Sequence, residues 1–151
     1  MSEHRCTVAW QRETPGFGYE EYDRTHTWTF AGGASLEASA APEFRGREEL
    51  PNPEEALVGA LASCHMLTFL AVAARKRLVV DSYEDDASGV MEKNDDGKLA
   101  VTRVVLRPRV GFGGERSPSG EELERMHEIA HRECFIANSV KTEVVLELRD
   151  A

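Results

Sequence analysis

Two cysteines, Cys64 and Cys134, are the residues whose type and spacing best suit chemistry in this chain. Cys64 ends the apolar stretch 57–64, and Cys134 ends a helical pattern seventy residues later. In a reducing compartment a thiol pair more often reacts than forms a structural disulfide. Free cysteine is also a small apolar residue that proteins often bury, so an inert core position is the alternative for each thiol.

Composition limits the classes of protein to which the chain can belong. Its 151 residues suffice for one domain with a proper core, so we expect a single domain over residues 1–151. A net charge of −9 argues against binding to nucleic acid or to an anionic membrane, because both require a basic surface. The first residues have no apolar leader, and no stretch approaches ~18 uninterrupted apolar residues. We therefore expect a cytoplasmic protein.

The first third of the chain has the alternation of β-strands. Apolar and polar residues alternate over 6–10, 26–30 and 36–40, with glycine turns between the first two strands and between the last two. Residues 41–51 lose this period and contain two prolines, which predicts a loop.

A long helix follows this loop. Asn52 can cap it, Pro53 suits the first helical position, and Glu55 completes a capping box. The helix is predicted to end near Arg77. Residues three and four apart form an inward-facing stripe that includes Cys64: Leu57, Leu61, Cys64, Thr68 and Ala71.

The remaining chain predicts two strands, a helix and a last strand. Residues 78–92 and 99–112 are long strand candidates around an Asp-Gly turn at 93–98. Ser119 begins a second helix that reaches Cys134, and 142–148 form the closing strand. This order predicts an α+β fold, an antiparallel sheet with a long central helix. Because that helix is apolar around much of its circumference, we expect burial between two subunits of a homodimer.

Several spaced motifs together resemble the OsmC/Ohr family of thiol-dependent hydroperoxide reductases. They are Asn52-Pro53-Glu54-Glu55-Ala56-Leu57, Ser63-Cys64, Cys134 and Asn138-Ser139, and the resemblance extends from about Ala40 to Leu148. It implies an OsmC-like fold, an intertwined homodimer with active sites at the subunit interface, and no cofactor. It also implies a peroxidase that reduces organic hydroperoxides, and potentially hydrogen peroxide, in oxidative stress defence.

The resemblance assigns a role to each site residue. Cys64 would attack the peroxide as a thiolate and become a sulfenic acid, which Cys134 would resolve into a disulfide. Glu54 would hold an arginine that stabilises the leaving oxygen, and we favour Arg45 over Arg47. An external dithiol, such as a lipoyl protein, would return the electrons.

Glu54 has a simpler alternative, as a first-turn acid that favours the helix dipole. Ten helical residues span about 15 Å, too far for Glu54 to reach Cys64 of its own chain. The hypothesis is therefore a composite site, in which Glu54 of one subunit places an arginine against Cys64 of the other.

Three other interpretations stay open. His65 adjoins Cys64 but points about 100° away along a helix, so it either edges the pocket as a proton donor or lies at an interface or surface. His127, His131 and Cys134 share one helix face and could bind zinc, with Cys64 and His65 completing the set. A protein of the same fold could instead bind a small apolar ligand without catalysis. Cys6, on a strand, is expected to be structural.

Overall fold

The structure is a computed structural model that describes residues 1–149. This part of the chain divides into two compact units, the first formed by Met1–Ala56 and the second beginning at Leu57. That the two units form the single domain predicted from the sequence stays a prediction, and residues 150 and 151 of that domain lie outside the described residues.

The first unit is an antiparallel three-stranded sheet in the order β1-β2-β3. The strands are β1 (Cys6–Ala9), β2 (His26–Phe30) and β3 (Ser35–Ala38). Trp28 of β2 lies opposite both Val8 and Leu36, so the apolar positions predicted from the alternation share one face. A short 3-10 helix, Pro42–Phe44, lies in the predicted loop.

Helix α1 (Pro53–Arg75) begins where the sequence predicts. The Asn52 side chain accepts a hydrogen bond from the Glu55 amide (2.9 Å), and the Glu55 carboxylate accepts one from the Asn52 amide (3.1 Å), which completes the capping box. By length and composition α1 could cross a membrane, a test that core helices of soluble proteins also pass. Only 28% of its apolar window is buried within the chain, so much of its apolar surface has no cover there.

The two long strands predicted at 78–92 and 99–112 were wrong in their length, because each breaks in two. The second unit contains β4 (Val79–Asp85), β5 (Ser88–Lys93), β6 (Leu99–Leu106) and β7 (Pro108–Gly113). β4 pairs with β7, whereas β5 pairs with β6 in a separate sheet, so the hairpin changes sheet midway. At the break, the Asp85 carboxylate accepts the Arg107 amide (2.7 Å), which removes that N–H from a strand ladder.

Helix α2 (Gly120–Glu133) has the predicted Ser119 cap, which accepts the Glu122 amide at 3.2 Å. The last strand, β8 (Glu143–Leu146), pairs in parallel with β6, a departure from the all-antiparallel prediction. The main core joins α1, α2 and β7 through a set of buried apolar residues. Its members are Phe69, Val72, Ala73, Leu78, Val110, Met126 and Ala130. The mixed fold is the α+β class expected.

Candidate functional site

The two cysteines selected from the sequence are neighbours in the second unit. Cys64 lies in the middle of α1 and is half-buried, and Cys134 is the residue that caps the C-terminus of α2 and is 1% exposed. The Cys64 thiol is close enough to Cys134 to act on it through a side-chain hydrogen bond and through its charge. Both thiols are free, so the pair has the two reactive groups that a disulfide needs, side by side.

The surroundings of Cys134 keep it protonated. Burial raises the pKa of the Cys134 thiol, and the hydrogen bond and charge of Cys64 raise it further. The Ala137 amide opposes this by donating to the Cys134 sulfur at 3.4 Å. Asn138 fixes the turn by donating to the carbonyl oxygens of Arg132 and Cys134, both at 2.9 Å.

Cys64 opens into a surface pocket of about 560 Å³ along one face of α1. Apolar side chains dominate the pocket, and Arg75 and Glu133 add charge. The lining residues are Cys64, Leu67, Thr68, Ala71, Val72, Arg75, Ile129, Glu133 and Phe135. Leu67 and Phe135 are 60% and 80% exposed, so this thiol lies on an apolar surface accessible from outside the chain.

Glu54 lies in the first turn of α1 and lines a different pocket, within the first unit. This pocket measures about 520 Å³ and is largely aromatic and apolar. It is lined by Val8, Trp10, Phe17, Tyr22, Arg24, His26, Ser39, Ala40, Ala41, Phe44, Pro53 and Glu54. The Oε2 atom of Glu54 is buried and accepts no hydrogen bond from residues 1–149. A buried carboxylate oxygen costs free energy unless it is paired, so this atom favours a donor from a substrate or a second chain.

Arg45 and Arg47, the arginines proposed from the sequence, both lie on the surface of the first unit. Arg45 pairs with Glu20 at 2.7 Å, with its side chain 48% exposed. Arg47 pairs with Glu49 at 2.6 Å and is 53% exposed. Neither is among the residues that line the Glu54 pocket. Arg45 stays a prediction as the active-site arginine.

Arg24, which the sequence reasoning missed, lines the same pocket as Glu54. Its guanidinium donates to the carbonyl oxygens of Tyr19 and Tyr22 and lies 3.7 Å from the centre of the Tyr22 ring. These two hydrogen bonds and the cation–π contact hold the guanidinium beside the aromatic side chains of the pocket. The available signal was the spacing of Arg24, which follows Tyr19 by five residues and Tyr22 by two and precedes β2.

The interpretation of His65 as a surface or pocket-edge residue was wrong. The side chain is 1% exposed, and its Nε2 atom is 3.0 Å from Nδ1 of His127. The inward-facing stripe predicted for α1 was wrong beyond Leu61, because the buried stripe runs through Leu61, His65, Phe69 and Val72. Cys64 is half-buried at its edge, and Ala71 is exposed.

The predicted zinc set is not assembled. Within residues 1–149 no three His, Cys, Asp or Glu side chains are arranged to hold a metal ion. Cys6, expected to be structural, is an exposed free thiol on β1.

Comparison with known proteins identifies the family to which this chain belongs. The family model described as OsmC-like protein matches residues 46–149. The chain therefore belongs to the OsmC-like family.

Individual relatives agree with this classification. An OsmC-like protein of unknown function from Vibrio cholerae is 50% identical, with a TM-score of 0.95 over 99% of this chain and 100% of that one. The uncharacterized protein YmaD of Bacillus subtilis is 25% identical over 130 residues, 83% of this chain and 85% of that protein. The organic hydroperoxide resistance protein OhrB of Bacillus subtilis shares the fold, with a TM-score of 0.67 at 17% identity over 98% of both chains.

Proposed function

We propose that this protein is a thiol peroxidase that reduces organic hydroperoxides. The observation that carries the proposal is the placement of Cys64 beside Cys134, with the first thiol opening onto an apolar pocket and the second buried. A two-cysteine peroxidase needs one thiol that a peroxide can reach and a second within bonding range of the first. Organic hydroperoxide resistance proteins with the same fold support the proposal at the level of the family.

The chemistry has two steps that balance without a cofactor. The Cys64 thiol releases its proton, the thiolate sulfur bonds to the distal peroxide oxygen as the O–O bond breaks, and the departing alkoxide takes up a proton from solvent to leave as the alcohol, so that Cys64 becomes a sulfenic acid. Cys134 then attacks the sulfenic sulfur, water leaves, and the Cys64–Cys134 disulfide forms. An external dithiol, such as a lipoyl protein, reduces the disulfide through thiol exchange.

The pocket beside Cys64 indicates the substrate class. Leu67, Ala71, Ile129 and Phe135 offer an apolar surface for an alkyl or aryl group next to the thiol. Organic hydroperoxides would gain binding energy there that hydrogen peroxide cannot gain. We therefore propose that the enzyme prefers organic hydroperoxides and reduces hydrogen peroxide more slowly.

We further propose that the active unit is a homodimer. The uncovered apolar surface of α1 supports this, because a helix of this composition is normally buried against another element. Glu54 lies ten helical residues from Cys64, about 15 Å along the axis, so its unpaired oxygen would hold an arginine against Cys64 of the partner subunit. Three cysteines cannot all pair within one chain, and thiols that must stay reduced to react support a reducing, cytoplasmic location.

Peroxide consumption with a dithiol reductant tests the proposal. The wild type should turn over cumene hydroperoxide, and Cys64→Ser should fall to the uncatalysed rate because the nucleophile is gone. Cys6→Ser is the matched control, since Cys6 is exposed and remote in sequence from both thiols, and it should keep the wild-type rate. Equal rates for the wild type and Cys64→Ser would overturn the proposal.

Single substitutions decide which arginine serves the site. Because Arg24 shares a pocket with Glu54, we expect Arg24→Ala to lower kcat/KM about a hundredfold, the usual cost of removing one group that stabilises a leaving oxygen. Arg45→Ala should stay within about threefold, since an exposed ion pair contributes little. The reverse order would restore Arg45 as the active-site arginine.

Binding of a small apolar ligand without catalysis is the second candidate function. The aromatic pocket of about 520 Å³ in the first unit favours it, because such a pocket can hold a ligand without any thiol chemistry. Tight binding of an apolar ligand, together with inert Cys64 and Cys134 under peroxide, would select this function over the peroxidase.

A further inference from the structure

The second unit contains a buried pair of histidines that the two redox steps do not use. His65 of α1 is 1% exposed and His127 of α2 is 2% exposed. Nε2 of His65 and Nδ1 of His127 are 3.0 Å apart, and the two rings are parallel within 4°. The ring of His127 also stacks on Phe69, with 4.3 Å between ring centres. A polar bond thus joins α1 to α2 inside an otherwise apolar core.

This hydrogen bond requires at least one neutral ring. One nitrogen must donate and the other must accept, which two doubly protonated rings cannot do. Burial lowers the pKa of His65 to about 4, helped by the charge of His131, and lowers the pKa of His127 to about 3, helped by His65. Both rings are therefore neutral near pH 7.

Few charged groups surround the pair. Besides His127, the charge that acts on His65 is that of His131 on α2. His127 lines a small pocket of about 200 Å³ with Glu124 of α2 and Arg149, whereas β7 contributes only Pro108 and Val110 to it. The geometry of the pair is thus set mainly by the hydrogen bond and by packing.

The pair lies beside the thiols in both helices. His65 directly follows Cys64, and His127 precedes Cys134 by seven residues, two turns that return to the same face of α2. Because each helix moves as a rigid element over a turn, sliding of α1 along α2 that separates the imidazoles also shifts Cys64 relative to Cys134. A directional hydrogen bond resists such movements better than apolar packing does, because apolar contacts have no preferred angle.

We propose that His65 and His127 are a positioning pair that holds Cys64 and Cys134 together for disulfide formation. This role rests on the proposed peroxidase function, since it concerns the second redox step. The histidines do not touch the substrate. They act through the helices, and the effective concentration of one thiol at the other is the quantity they raise.

Disulfide formation in glutathione redox buffers measures that quantity directly. The measurement uses the full chain with Cys6→Ser, which removes the exposed third thiol. The fraction of protein with the Cys64–Cys134 disulfide, measured at known ratios of reduced to oxidised glutathione, gives the effective concentration of one thiol at the other. His127→Phe keeps an aromatic ring but loses the hydrogen bond, and should lower the effective concentration about fivefold, the value of one net hydrogen bond.

Conservative variants separate positioning from core filling. His127→Asn keeps a polar atom near Nδ1 and should recover most of the wild-type value. His4→Asn is the matched control in the exposed N-terminal segment and should change nothing. An unchanged effective concentration in folded His127→Phe would reduce the pair to core filling and overturn the proposal.

A second pair of variants covers the case in which His127→Phe does not fold. His65→Gln keeps an amide near the position of Nε2, whereas His65→Leu has no polar atom there. We therefore expect a higher effective concentration in His65→Gln than in His65→Leu. The glutathione measurement needs no peroxide. If the wild type has a higher effective concentration than the variants but does not react with hydroperoxide, the proposed peroxidase is refuted and the positioning role is still supported. Equal effective concentrations in all the proteins would refute the positioning role alone.

Discussion

Acid should destabilise this protein through its buried histidine pair. In the folded chain the pKa values of His65 and His127 are about 4 and about 3, whereas an unfolded histidine has a pKa of about 6.5. A group with a depressed folded pKa is neutral in the fold and takes up its proton on unfolding. The stability that the pair contributes is therefore complete above pH 6.5 and is lost as the pH falls from there towards the folded values.

The size of the loss can be calculated at pH 5. This pH lies about 1.5 pH units below the unfolded pKa, and each pH unit costs about 1.4 kcal/mol per group that protonates only in the unfolded chain. Between pH 7.5 and pH 5 the contribution of each histidine to the free energy of unfolding thus falls by about 2 kcal/mol, and that of the pair by about 4 kcal/mol. The figure does not depend on the folded values, because both lie at least about one pH unit below pH 5.

Urea unfolding at pH 7.5 and pH 5 measures this loss in the wild type and in the double variant His65→Gln with His127→Asn. The substituted side chains of the double variant have no group that takes up a proton. The raised pKa of Asp85 acts in the opposite direction, since a carboxyl that binds its proton more tightly in the fold gains stability in acid. That contribution is common to both proteins and cancels in the difference. We expect the wild type to lose about 4 kcal/mol more than the double variant, and equal losses would refute the neutral buried pair.

Three further outcomes test the local structure. Gly46→Ala should destabilise the protein by more than about 3 kcal/mol in urea unfolding, because the added methyl group would overlap the backbone carbonyl oxygen of Ala40. Gly32→Ala, where the added methyl group meets open space, should leave the free energy of unfolding nearly unchanged. Equal effects of the two substitutions would contradict this packing. Asn52→Ala should cost about 1 kcal/mol of unfolding free energy by removing the cap of α1, and no loss would mean that the cap contributes nothing. Alkylation of the reduced protein at pH 8, followed by peptide mass spectrometry, should modify exposed Cys6 quickly and buried Cys134 last; early labelling of Cys134 would contradict its burial and raised pKa.

Local signals in the sequence were enough for most of the fold. The capping residues at Asn52 and Ser119 mark helix starts that the structure reproduces, because capping depends on neighbouring residues only. The break in the long hairpin was not predictable from the alternation of residues 78–92. It depends on the Asp85 carboxylate meeting the Arg107 amide, a contact between residues far apart in the chain.

The candidate site was predictable to a lesser degree. The placement of Cys64 and Cys134 on α1 and at the end of α2 followed from the helical pattern and the motif spacing. The burial of His65 did not follow, because a histidine on a helix enters a core only when another element supplies a hydrogen-bond partner, here His127. Arg24 was missed for a similar reason, since its shared pocket with Glu54 is a tertiary arrangement.

The most direct test of the peroxidase account is the product formed from one equivalent of hydroperoxide. The reduced wild type is mixed with one equivalent of cumene hydroperoxide and mapped by peptide mass spectrometry, with Cys64→Ser alongside. The account predicts rapid formation of a disulfide between Cys64 and Cys134 in the wild type, and no internal disulfide in the variant. Slow oxidation spread over all three cysteines would contradict it.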